Sequence, residues 1–128
     1  MSDKITIYGE LHSSKNGKMI VNIKGRPMLI SKSSVRQAEK SINQQLVLNK
    51  AKWLRMIDGC PKPLNVVFKL YRQTHRRFDW INILQQLQDC MVKCGWLPDD
   101  NADELLPVFE GYEVDPKNPR TEIYLKNS

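Results

Sequence analysis

Along the chain, apolar and polar residues fall into short alternating runs and two longer helical stripes. "KITIYGEL" alternates Ile5 and Ile7 with Thr6 and Tyr8, the period of two expected of a strand with one covered face. A polar, turn-rich loop, "HSSKNGKM", follows it. "MIVNIKG" and "RPMLIS" then predict two short strands joined around Gly25 and Arg26. Pro27 places its strand at an edge, because it has no N–H to give to a ladder. A long helix is expected from Ser34, which forms a capping box with Gln37. Its stripe is clear at Val35, Ala38, Ile42 and Leu46 and blurs toward Trp53 and Leu54, so the helix is expected to end or bend before Trp53. "DGCPKP" is a firm stop.

"LNVVFKLYRQ" predicts a strand covered in part on both faces. A second helix is expected from about Trp80 to Cys94, with Trp80, Ile83, Leu84, Leu87, Met91 and Cys94 on one stripe. Gly95 closes it as the residue past a helix end does, and Trp96 is expected to pack in the core. The tail "VFEGYEVDPKNPRTEIYL" has the form of a hairpin around "DPKNPR". These elements predict a single α+β domain over residues 1–128, a mixed, largely antiparallel sheet covered by two helices.

At 128 residues the chain has room for one ordinary domain, and 41% apolar residues are enough to give it a core. The net charge of +6 favours polyanionic partners, nucleic acid first and an anionic membrane surface second. Cys60, Cys90 and Cys94 have no metal-type spacing and are expected as buried thiols. With no apolar signal core and no run long enough to span a membrane, the expected location is cytoplasmic.

Candidate chemistry gathers around the second helix. Asp79 stands directly before it, where a carboxylate serves equally as an N-cap or as a metal ligand. Asp99 and Asp100 follow the helix in a loop. Lys69, Arg72, His75, Arg76 and Arg77 lead into it, residues suited to phosphate contact, with Tyr71 able to stack on a base or sugar.

The stretch from Arg76 to Asp100 resembles the core of RusA-type Holliday junction resolvases, a family of small, basic, often phage-encoded endonucleases. The resemblance lies in Arg76 and Arg77, then Asp79, Asn82, Gly95, Trp96, Asp99 and Asp100 at matching intervals. "YGELHSSKN" and "RPMLISKSSVRQAEKSI" are similar, more loosely, to the family's opening strand, basic loop and first helix. The resemblance implies a homodimer that binds branched DNA and uses carboxylates to hold magnesium. Asp79 and Asp100 would then be catalytic ligands, with Asp99 beside them. Phosphate contacts would fall to Lys15, Lys18, Lys24, Arg26, Arg72, Arg76 and Arg77.

Two positions depart from the family pattern. Ile81 stands where a second aspartate is expected, and Gln85 where a lysine is expected. One such electrostatic group is commonly worth about 10²–10³ in rate. The expected function is therefore recognition of branched DNA with impaired or absent cleavage. The alternatives are an active magnesium-dependent endonuclease with a rebuilt ligand set, drawing on Asp103 or Glu104, and a protein-interaction domain that keeps only the fold. Asp79 and Asp100 flank a helix roughly 22 Å long at 1.5 Å per residue. A shared ion then requires either a loop that returns along the helix or a second copy across a two-fold axis.

Overall fold

Leu64–Arg72 buries more apolar side chains than any other strand whose side chains are described, and the fold is arranged around it. The computed structural model describes residues 3–11, 18–31, 33–75, 77–99 and 101–126, with the side chains of 18–23 and 28–35 outside the description. In chain order the elements are β1 (Lys4–Tyr8), β2 (Lys18–Ile23), β3 (Arg26–Ser31), α1 (Ser33–Ile57), β4 (Leu64–Arg72), α2 (Trp80–Lys93), β5 (Leu105–Val114) and β6 (Arg120–Leu125). β1, β6, β4 and β5 form a four-stranded sheet in that order, and β2 and β3 form a separate two-stranded ribbon. The expected α+β architecture, a mixed sheet with two helices, is the one observed.

The helices lie against one face of the sheet. Ile5 and Ile7 of β1, Val66, Phe68 and Leu70 of β4 and Ile123 of β6 share one buried cluster with Ile42, Leu46 and Trp53 of α1 and Ile83, Leu84, Leu87 and Met91 of α2. Strand alternation sends the intervening residues to the opposite face. There Lys4 meets Glu122 at 3.0 Å and Lys69 meets Glu113 at 2.8 Å.

β2 and β3 pair antiparallel with Ile23 opposite Arg26. This leaves Lys24 and Gly25 as a two-residue turn, and both have positive φ, 52° and 77°. That backbone twist matches a hairpin, and Gly25 adopts it without a Cβ penalty.

Three expectations need correction. The tail is not a hairpin: β4 lies between β5 and β6, parallel to the first and antiparallel to the second. Alternation along β5 and β6 reports which face is covered and nothing about which strand lies alongside. β4 carries the most buried apolar side chains, so it gains most from being paired on both edges. The β5–β6 link crosses its end, where Asp115 N–H donates to Arg72 C=O at 2.7 Å.

The second correction concerns α1, which neither ends nor bends before Trp53 but runs unbroken to Ile57. Its stripe is blurred in sequence because Val47 and Leu48 are exposed apolar residues beside the buried Leu46. The indole of Trp53 keeps the last turns in the core by stacking on Trp96, with ring centroids 4.8 Å apart. The third is minor: α1 begins at Ser33, so Ser34 lies inside the first turn.

Candidate nucleic-acid interface

Cations are distributed unevenly over this fold. Between Leu11 and Ile57, the stretch holding the ribbon and α1, the chain has ten lysines and arginines and a single acid, Glu39. The remainder has ten cations and thirteen acids. The +6 of the whole chain is thus carried by one part of it, and a polyanion would be drawn to that part. Lys24 and Arg26 stand exposed at the ribbon's turn. Lys40 and Arg55 are exposed on α1, while Lys52 Nζ is spent on the Lys4 carbonyl at 2.8 Å. Lys18 opens β2. Lys15, Arg76 and Asp100, all expected at the site, lie outside the described residues.

The open face of the sheet has the contrasting character. Arg120 Nη1 lies 2.9 Å from Asp115 Oδ2, and its guanidinium sits 3.6 Å from the centre of the Tyr71 ring. Tyr71 was expected to stack on a nucleotide, but Arg120 already covers one face of its ring. Hydrogen bonds to Glu113 and Tyr71 push Lys69 up to about 12. This face balances its own charge.

Arg72 is a correction to the expected phosphate contacts. Only 9% exposed, it donates from Nη1 to the Leu11 carbonyl at 2.9 Å and pairs through Nη2 with Glu10 at 3.4 Å. Its guanidinium lies 4.5 Å from the centre of the Phe78 ring. Burial pulls its pKa below the ordinary arginine value, and the charge of Glu10 opposes that. The residue ties the exit of β1 to the end of β4 and fixes the ring that precedes α2. Arg77 is exposed.

Asp79 is the N-cap of α2. Its Oδ1 accepts from the Ile81 N–H at 3.0 Å and the Asn82 N–H at 3.5 Å, and Asn82 Nδ2 donates to Oδ2 at 3.2 Å. Those backbone donors have no partner inside the helix, so the carboxylate meets a local need whatever else it does. Ile81 stands where the resemblance to RusA-type resolvases would place a second acid. Its side chain is 60% exposed and offers no donor atom.

At the other end of α2, Asp99 accepts from Asn101 Nδ2 at 3.1 Å. It lines a shallow depression of about 290 Å³ with Asp89, Val92 and Lys93. The loop after the helix therefore returns as far as Asp89, ten residues beyond Asp79, or about 15 Å along the axis. Asp79 and Asp99 are kept apart by the body of the helix. Among the described residues, no group of three histidine, cysteine or acidic side chains is placed to hold a metal ion.

The residues on either side of Asp79 in sequence belong to a feature that the sequence reading did not contain. Phe78, Trp80, Phe109 and Tyr112, with Arg77, line a recess of about 250 Å³ between the start of α2 and β5. Trp80 stacks on Phe109, and Phe78 meets Tyr112 edge-on. Phe109 and Tyr112 are three apart and would face opposite ways on a regular strand. A bulge reverses this: Phe109 pairs with Phe68 and Tyr112 with Leu70, so β5 takes three steps where β4 takes two. Gly111, at φ 102°, lies within the extra length. That lone glycine inside an alternating run was the only sequence signal available.

No helix of the described residues is long and apolar enough to cross a membrane. No protein-family model and no curated protein matches the chain.

Proposed function

We propose that the chain is a RusA-like DNA-binding protein that holds branched DNA, of the Holliday-junction type, as a homodimer, with cleavage impaired or absent. The observation that carries the reading is the segregation of charge: ten cations to one acid over the ribbon and α1, against a sheet face that balances itself. Lys24, Arg26 and Arg77 are exposed where a phosphate backbone can reach them, with Lys18, Lys15 and Arg76 completing the proposed set. Arg72 leaves it.

Impaired cleavage is supported by the ends of α2. Magnesium takes oxygen ligands in near-ideal octahedral geometry. Within one chain the described residues do not fit such a site. One oxygen of Asp79 caps the helix and the other accepts from Asn82 Nδ2, the Ile81 side chain supplies no oxygen, and Asp99 lies beyond most of the helix length. A second copy with its α2 antiparallel would bring one chain's Asp79 toward the other's Asp99 and Asp100, which is how an active enzyme of this kind would have to be assembled.

One experiment separates the readings. Binding to a labelled four-way junction and to linear duplex is measured against salt, with and without magnesium, beside sedimentation of the free protein. The expected result is a dimer whose junction affinity falls steeply with salt, because displaced counterions drive binding, and no nicks. Lys24→Ala with Arg26→Ala should flatten the salt slope by about 0.9 for each lost contact. Paired nicks that require magnesium and vanish in Asp79→Asn would establish an endonuclease instead. Absence of salt-sensitive binding would leave a protein-interaction domain.

A further inference from the structure

We infer that the recess at the N-terminal end of α2 accepts an unpaired nucleobase, held against the Trp80–Phe109 stack with Arg77 beside its phosphate. This rests on the DNA-binding reading above and specifies which part of a strand the surface would take. Trp80 and Phe109 lie nearly parallel, 5° apart with centroids at 4.5 Å. Phe78 and Tyr112 stand edge-on at 4.9 Å and form the adjoining wall.

These rings are not sealed into the core. Trp80 remains 37% exposed and Tyr112 44%, and the recess they border has room for a planar ring system at about 250 Å³. Exposed rings around a recess form a stacking platform, and every base offers a π-face to it whatever the sequence. Arg77 lines the same recess and is exposed, which gives the charge complementary to a backbone phosphate. Two acids are close in sequence: Glu113 pairs with Lys69 on the opposite face of the sheet, and the Asp79 carboxylate is engaged by the Ile81 and Asn82 backbone N–H groups and by Asn82 Nδ2 at the start of α2.

The backbone is shaped for this arrangement. The bulge at Gly111 turns Phe109 and Tyr112 to the same side, and Arg72, anchored on the Leu11 carbonyl and Glu10, holds Phe78 from beneath. Bulges of this kind recur beside functional sites, where they re-aim a side chain. An unpaired base is what a bulge, or a junction whose central pairs have opened, offers and an intact duplex withholds.

The test uses the full chain and two probes, a short duplex with one bulged 2-aminopurine and the same duplex fully paired. Trp53 and Trp96 are buried, at 0% and 2% exposure, so accessible tryptophan fluorescence reports Trp80. The bulged duplex should bind about ten-fold tighter than the paired one, with quenching of Trp80 and of the 2-aminopurine, because stacking on one aromatic is worth about that factor. Trp80→Leu should remove the preference and leave paired-duplex affinity within about two-fold. Tyr112→Ala, at the sheet edge, should do the same and guards against a packing defect in the first variant; thermal melts confirm that both are folded. Equal affinity for the two probes in the natural protein, or a preference that survives both substitutions, overturns the inference. Salt-sensitive binding of the paired duplex without any bulge preference would sink the recess and leave the DNA-binding reading standing; binding of neither probe would sink the recess as well, and the four-way-junction titration then decides the DNA-binding reading by itself.

Discussion

The two ends of α2 are made of similar materials, an acid and aromatic rings at each, and the fold uses them in opposite ways. At the C-terminal end Trp96 is buried and stacked on Trp53, its Nε1 donating to the Leu46 carbonyl at 2.7 Å while its own carbonyl accepts from Trp53 Nε1 at 2.9 Å. Every polar group of that pair is satisfied, so the indoles contribute their full burial to stability. At the N-terminal end Trp80 and Tyr112 stay partly in water, beside an exposed arginine and a capping carboxylate. Rings with satisfied N–H groups sunk in the core hold a fold together. Rings left at a surface beside charge are available to a partner.

Substitutions along the helix should break or sharpen this contrast, and the largest effect belongs to the dry end. Trp96→Ala should lower the unfolding free energy by about 3–5 kcal/mol, the range for truncating a buried aromatic, read from urea denaturation. A loss near 1 kcal/mol would mean that the C-terminal end is not the anchor described. Gly95→Ala comes next. At φ 80° an L side chain costs about 1–2 kcal/mol. Its Cβ would also fall 2.6 Å from Lys50 Nζ, a flexible tip that can swing away. The effect should therefore stay in that range.

At the wet end the costs are smaller and separate two roles. Asp79→Ala should cost about 1 kcal/mol by leaving N-terminal donors unpaired, whereas Asp79→Asn, which still caps, should cost only a few tenths. If both cost the same, the charge of Asp79 and not its capping geometry is what the fold uses. In the same pair of variants, any magnesium-dependent nicking should be lost in both, because either change removes a charged ligand.

The smallest effect is in thiol chemistry on the C-terminal half of the helix. Burial pushes the Cys90 thiol up to about 12 from its ordinary 9.0. The native thiol thus stays protonated at neutral pH and should resist alkylation until the chain unfolds, as mass-resolved labelling would show. The linked stability has a definite sign. Because the folded state holds this proton more tightly, the contribution is complete below pH 9 and is lost as pH rises toward 12. Fast labelling of native Cys90 at neutral pH would contradict the burial that defines the dry end.

The sequence alone determined those features whose physics is local. Asp79 before an apolar stripe and Gly95 after it delimit α2, because a helix must satisfy its end donors and can reverse only through a residue that tolerates positive φ. The β2–β3 turn was legible to within one residue: expected around Gly25 and Arg26, it is made by Lys24 and Gly25, with Arg26 already paired in β3. The α+β class follows from counting such elements, and the positions of Asp79 and Arg77 at a helix start were legible from the same stretch.

What only the tertiary structure decided is everything that depends on a neighbour distant in sequence. β5 and β6 read as a hairpin because alternation is a property of one strand, but pairing is settled by which strand buries most when enclosed, and β4 wins that place. Arg72 reads as a phosphate contact because it is basic and ends a strand, yet Glu10, Leu11 and Phe78 claim it from the side. α1 reads as broken at Trp53 because no local pattern shows the indole of Trp96 waiting beside it. The aromatic recess joins residues from 77 to 112 through a one-residue bulge, so it exists only once β5 lies against β4. Local preferences are fixed by bonds a few residues long, whereas these choices compare burial across the whole sheet, and that comparison can be made only when the chain has folded.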